Sequence, residues 1–190
     1  MKKILIAGIL GAVVAFLWSS FAHMALPTGD MGIRSLPNED AVVAAMKQSI
    51  HERGFYYFPG MDMSRKLTPE EEKAWTAKYA AGPIGILVYN PAGDVPMSPR
   101  MLVVELFSDV LAGLVLAWVL SLSAVSVGRG ALTAGLLGLF AWLSLSVSMW
   151  NWFGFPEAYL LTEAIDQVVG WGLAGLVMAL VLRPKPAAAT

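Results

Sequence analysis

"MLVVELFSDVLAGLVLAWVLSLSAVSV", residues 101–127, is an apolar run that carries two carboxylates near its start. A helix needs ~20 residues to cross the hydrocarbon core of a bilayer, and this stretch has them. Glu105 and Asp109 stand four positions apart, which stacks them on one helix face. Below them the same face continues as Ala112 and Gly113, small residues of the kind that mark helix–helix contact in membranes. The stretch therefore predicts a spanning helix whose acids look into a bundle.

Three further stretches have comparable length and apolarity: residues 4–25, 131–150 and 158–182. With 57% hydrophobic and 14% charged residues in 190, the chain is too apolar for an ordinary soluble domain. The expected fold is a membrane all-α, four-transmembrane-helix bundle with a small external α/β insert between helices 1 and 2. Its parts are a first transmembrane helix over 1–25, an external segment over 26–100, helices 2–4 over 101–182, and a tail over 183–190.

Charge sets the expected orientation. Outside 26–100 the basic residues are Lys2, Lys3, Arg129, Arg183 and Lys185, and four spans bring all of them to one side. The acids outside that segment, Glu105, Asp109, Glu157, Glu163 and Asp166, fall toward the other side. Basic loops stay cytoplasmic, so both termini are expected inside and residues 26–100 outside, in a bacterial inner membrane. Lys2-Lys3, the following apolar run and Ser20-Phe21-Ala22 also imitate a cleavable signal peptide. The run continues to Ala25, and Trp18 suits a signal core poorly, so a retained anchor is expected.

In the insert, Asn38 is expected to cap a helix carrying Glu39 and Asp40 in its first turn. His51 is expected at that helix's C-terminal end. "GFYYFPG", residues 54–60, and "IGILVYN", residues 84–90, read as strands bounded by breakers. Thr68, Pro69 and Glu71 spell a capping box for a second helix between them. Two strands and two helices in about 75 residues predict a thin core.

The strongest chemical signal is carboxylic. The last span holds "TEAIDQ", so Glu163 shares a face with Asp166 and Gln167, with Gly170 and Ala174 beneath. Rise per residue places Asp109 and Asp166 at one depth, just inside the outer boundary. Glu105, Asp109, Glu163, Asp166, Gln167 and His23 are thus candidates for an outward-facing vestibule that binds a cation or a proton, with Arg34, Arg100, Ser19, Ser20 and Ser108 as neighbouring partners. Oxygen ligands with at most His23 or His51 would suit only a hard metal ion, and their spacing is not metal-specific.

Other chemistries are thinly supported. Without cysteine there is no disulfide, thiolate metal site or thiol nucleophile. A net charge of −1 argues against a nucleic-acid partner. No nucleophile elbow, zinc-protease, phosphate-loop or dinucleotide motif occurs, so neither a catalytic role nor a cofactor is expected. "MWNWFGFPEAY", residues 149–159, joins the last two spans; Trp150, Trp152 and Tyr159 are expected as interface anchors, and the knot as a wall of the vestibule.

The expected role is that of a non-enzymatic accessory or interaction subunit. It would be embedded in the lipid bilayer with a membrane-protein partner or as a homo-oligomer. The alternative is a small transporter or sensor gated at the acidic vestibule. A membrane enzyme acting on a lipid or periplasmic substrate is a lesser alternative.

Overall fold

The computed structural model describes residues 1–27, 31–123 and 126–183. Seven α-helices and two strands follow one another among them: α1 (Lys2–Ala25), α2 (Glu39–Ser49), β1 (Gly54–Phe58), α3 (Pro69–Ala81), β2 (Gly85–Tyr89), α4 (Pro99–Ser121), α5 (Val127–Ala141), α6 (Val147–Phe153) and α7 (Glu157–Leu182). A π-helical turn, Trp142–Ser146, joins α5 to α6. Four helical stretches are long and apolar enough to cross a membrane: Lys2–Ala25, Pro99–Ser121, Val127–Phe153 and Glu157–Leu182. They fit a multi-pass membrane protein. The chain divides into two compact units, one of residues 1–33, 96–150 and 155–190, the other of 34–95 and 151–154.

The first unit is built on α1 and α7. α1 packs against both α4 and α7, and α5 lies along α7, while α4 and α5 barely touch. Small residues permit these contacts, because helices in lipid gain from close backbone approach rather than from burying oily side chains. A Cβ added at Gly113 would lie 2.5 Å from the Gly8 carbonyl oxygen, so α1 and α4 meet backbone to backbone. Gly175 meets Gly130 and Ala134 across the α5–α7 contact, and Gly138 meets the Gln167 backbone. Gly11 leaves room for Met178, the one large side chain that is fully buried among the described residues.

Local signals start these helices. Ser98 Oγ accepts from the Met101 N–H at 3.4 Å with Pro99 at the first helical position, and Ser126 Oγ accepts from the Arg129 N–H at 3.4 Å. The second span ends at Ser121, short of the expected 127. The third is not a plain α-helix, as expected, but widens at Trp142–Ser146, where the Val147 N–H reaches back five residues to the Trp142 carbonyl. Ser144 Oγ competes for the same ladder, donating to the carbonyls of Phe140 at 2.8 Å and Ala141 at 3.2 Å. Trp142 Nε1 donates to the Leu160 carbonyl at 2.9 Å, which pins the widened turn to α7.

The second unit pairs β1 and β2 antiparallel, from Gly54 opposite Tyr89 to Phe58 opposite Gly85. Phe153 joins it, with ring centroids 5.6 Å from Phe55 and 6.5 Å from Tyr57. Trp75 Nε1 donates to the Pro59 carbonyl at 3.0 Å and ties α3 to the end of β1. No residue from 34 to 95 is fully buried, the thin core that two short strands imply. The capping box at Thr68 and Glu71 forms in full. Asn38 does not cap with its side chain as expected; it sits in the left-handed region at φ 52°, which an Asn tolerates, rather than in the extended conformation from which a side chain caps. His51 lies beyond the end of α2, because the backbone is already extended at Ile50.

Arg65 braces the start of α3. Its Nη1 and Nη2 donate to the two Glu71 carboxylate oxygens at 2.9 and 2.7 Å, and its Nε lies 3.2 Å from Asp62 Oδ2. This fork, aided by the Thr68 N–H, lowers the Glu71 pKa from 4.5 to about 2. A carboxylate whose pKa falls on folding contributes stability that is complete above its unfolded pKa and is lost as pH drops through the folded one.

Two outcomes follow for measurement. Amide protection in residues 69–81 should decline as pH falls from about 4.5 to about 2, and Arg65→Ala should remove most of that acid-sensitive increment. Gly113→Leu should prise α1 from α4 and lower thermal stability in detergent by the equivalent of about 1–3 kcal/mol or more. Gly128→Ala, with open space at its Cβ, should leave it unchanged.

Candidate functional site

Where α1, α4 and α7 converge they enclose a cavity of about 160 Å³. α4 contributes Glu105 and Asp109, one above the other as their spacing requires. From α7 come Asp166, Gln167, Gly170 and Trp171, and from α1 Ala15, Trp18 and Ser19. Three carboxylates thus face one polar space, and no basic side chain lines it.

The hydrogen bonds assign roles around Asp166. Ser19 Oγ donates to Asp166 Oδ2 at 3.3 Å. His23, one turn further along α1, has Nδ1 at 2.9 Å from the Ser19 carbonyl; a carbonyl only accepts, so Nδ1 carries a proton. The same nitrogen stands 3.5 Å from Ser19 Oγ. His23 is exposed and connects to the carboxylate only through Ser19. Asp166 Oδ1 and Trp18 Nε1 are buried with no hydrogen-bond partner. Buried oxygens of this kind are costly unless something supplies the missing contact.

Glycine and tryptophan shape the walls. A Cβ at Gly170 would lie 2.8 Å from Trp18 Cδ1, so the indole of α1 rests on bare α7 backbone. Trp171 Nε1 donates to Gln167 Oε1 at 3.2 Å, which turns the Gln167 amide along its own helix.

Of the expected site residues, Glu105, Asp109, Asp166 and Gln167 line the cavity. Glu163 does not; it neighbours the Tyr159 hydroxyl one turn back on α7. His23 stays outside and hydrogen-bonds to the Ser19 carbonyl. Ser108 Oγ donates to the Glu105 carbonyl at 2.8 Å and is committed to its own helix. Among the described residues Arg100 makes no ion pair with the acids, so the expected charge partner is absent from this unit. The aromatic knot is also divided: Phe153 joins the strands, while Phe155 and Tyr159 pair at 5.3 Å at the start of α7, after a turn in which Gly154 takes φ 71°. Glu157 and Tyr159 do not line the cavity, so the wall it was expected to supply comes from Trp18 and Trp171 instead.

Those two tryptophans are what sequence reasoning missed. A signal for Trp18 was present: Gly8, Ala12, Ala15, Ser19 and Ala22 form a small-residue stripe on α1, and Trp18 adjoins it beside the one hydroxyl that reaches Asp166. Among the described residues no three of His, Asp and Glu converge closely enough to hold a metal ion. No protein-family model, curated protein or solved structure matches the chain.

Gly170→Ala should push the Trp18 indole off α7. Its expected signature is a changed indole emission and quencher accessibility relative to the parent chain, absent when both are compared in a Trp18→Phe background.

Proposed function

We propose that this chain is a multi-pass protein of a bacterial inner membrane that binds a proton or a cation in the carboxylate cavity between α1, α4 and α7. In this reading both termini are cytoplasmic and residues 26–100 are external, as Lys2, Lys3, Arg129 and Arg183 favour by the positive-inside rule. α1 is retained, since it supplies Trp18 and Ser19 to the cavity.

One observation carries the reading: three carboxylates share a space of about 160 Å³ without a cationic partner, and one Asp166 oxygen is buried unpaired. Like charges held together in a low-dielectric setting repel, and a proton or cation relieves that repulsion. Intramembrane acids that face a bundle interior commonly serve ion or proton binding. Such a site suits a small transporter or a sensor of the external medium.

A role as accessory subunit, alone or combined with the first, draws support from a separate feature. Ala131, Gly135, Leu136, Val168 and Gly172 line an apolar groove of about 360 Å³ on the α5–α7 pair, and small residues of this kind favour close packing of a helix from a membrane partner or a second copy. Gentle detergent extraction should then recover a stable complex, and a lone monodisperse monomer counts against it.

For the carboxylate site, thermal stability of the purified chain should vary with pH and with added cations. Asp109→Asn and Asp166→Asn should each flatten that response while keeping helical content. An unchanged pH and ion response in both variants sinks the reading.

A further inference from the structure

The carboxylate cavity has an apolar neighbour. Because α4 and α5 barely touch, a groove of about 400 Å³ opens between them, walled by Ala112, Val115, Leu137, Gly138, Ala141 and Trp171 among others. No charged residue lines it. Trp171 lines both spaces, and Ala112 lies one turn along α4 from Asp109. A polar, negatively charged chamber therefore adjoins an apolar one, with an indole between them. The groove volume falls within the ~300–1,000 Å³ typical of small-molecule sites.

Resting on the carboxylate-site reading, we propose that the ligand is a lipophilic organic cation: an amine or quaternary onium head in the carboxylate cavity and an apolar body in the α4–α5 groove. Charge complementarity selects the head. Glu105, Asp109 and Asp166 line the cavity with no competing basic side chain, and one Asp166 carboxylate oxygen is left without a hydrogen-bond donor. Trp18 and Trp171 also line the cavity, and indole rings attract a diffuse positive charge without directed bonds.

The competing occupants fit less well. A bare metal ion requires converging ligands, and among the described residues no such trio exists. A phospholipid could lay an acyl chain in the groove, but its phosphate would meet three carboxylates. A neutral hydrophobe would fill the groove and leave the acids uncompensated.

Decyltrimethylphosphonium, with a compact cationic head and an apolar tail, is a suitable probe, with neutral decyldimethylphosphine oxide as its uncharged counterpart, both titrated into the full chain in detergent. We expect saturable binding of the phosphonium with quenching of tryptophan emission, about tenfold or more tighter than the oxide. Asp166→Asn should weaken phosphonium binding by a similar factor, and so should Ala112→Phe, which fills the groove from an exposed position. Leu137→Phe, also exposed, provides a second groove-filling variant should the first fail to fold.

Equal affinity for the two probes overturns the proposal, because charge would then not be read. So does phosphonium binding that is unaffected in a folded groove variant, or a co-purified phospholipid that the phosphonium does not displace. Failure of the carboxylate-site reading itself appears in the ligand-free pH titration of the parent chain. An intact pH response without phosphonium binding removes this inference alone.

Discussion

Close approach of helix backbones is the constraint on which the rest of the membrane unit depends. Lipid tails are as apolar as leucine, so no hydrophobic force draws helices together, and contact must come from shape. Gly8 against Gly113 and Gly130 against Gly175 supply that shape. Because α1 is seated against α4 and α7, and α5 against α7, nothing is left to close α4 onto α5. The groove between those two helices is therefore a by-product of where the glycines lie. The carboxylate cavity has the same origin, since bare backbone at Gly170 is what admits the Trp18 indole.

Polar groups divide by environment. In the strand-containing unit the charges find each other: Arg65 holds Asp62 and Glu71 and Thr68 completes the cap, all at the surface with only Glu71 half-buried. Such surface pairs contribute little to stability and serve mainly to fix the start of a helix. Between the spanning helices, Asp166 has a single serine donor and Trp18 Nε1 has nothing. The less water a site holds, the more an unmet hydrogen bond costs, so the incomplete set is found where incompleteness is most expensive.

Much of this was legible in the sequence, for identifiable reasons. Long apolar runs with few charges leave a helix as the only way to satisfy the backbone in lipid, so the four spans could be read by length. The convergence of Glu105, Asp109, Asp166 and Gln167 could be read because small residues beneath them on each helix mark the inward face. Glu163 lies outside the cavity because it stands three residues before Asp166, and that offset turns its side chain toward Tyr159 instead. The tryptophans were missed because apolar and aromatic residues look alike from outside a bundle, and only partner geometry separates a wall from a lipid anchor. Asn38 shows a different limit: its residue type suits a cap, yet the backbone chose the left-handed region it also tolerates.

The widened turn at Trp142–Ser146 makes the third span unusually sensitive to chain length. A π turn holds one residue more than the α-helix around it, so excising a single residue there would restore an ordinary helix rather than break one. The segment beyond would then rotate by roughly 100° about its axis, the angle one residue subtends. The register of this one turn is thus a phase setting: it decides which way every side chain from Val147 to Phe153 is presented.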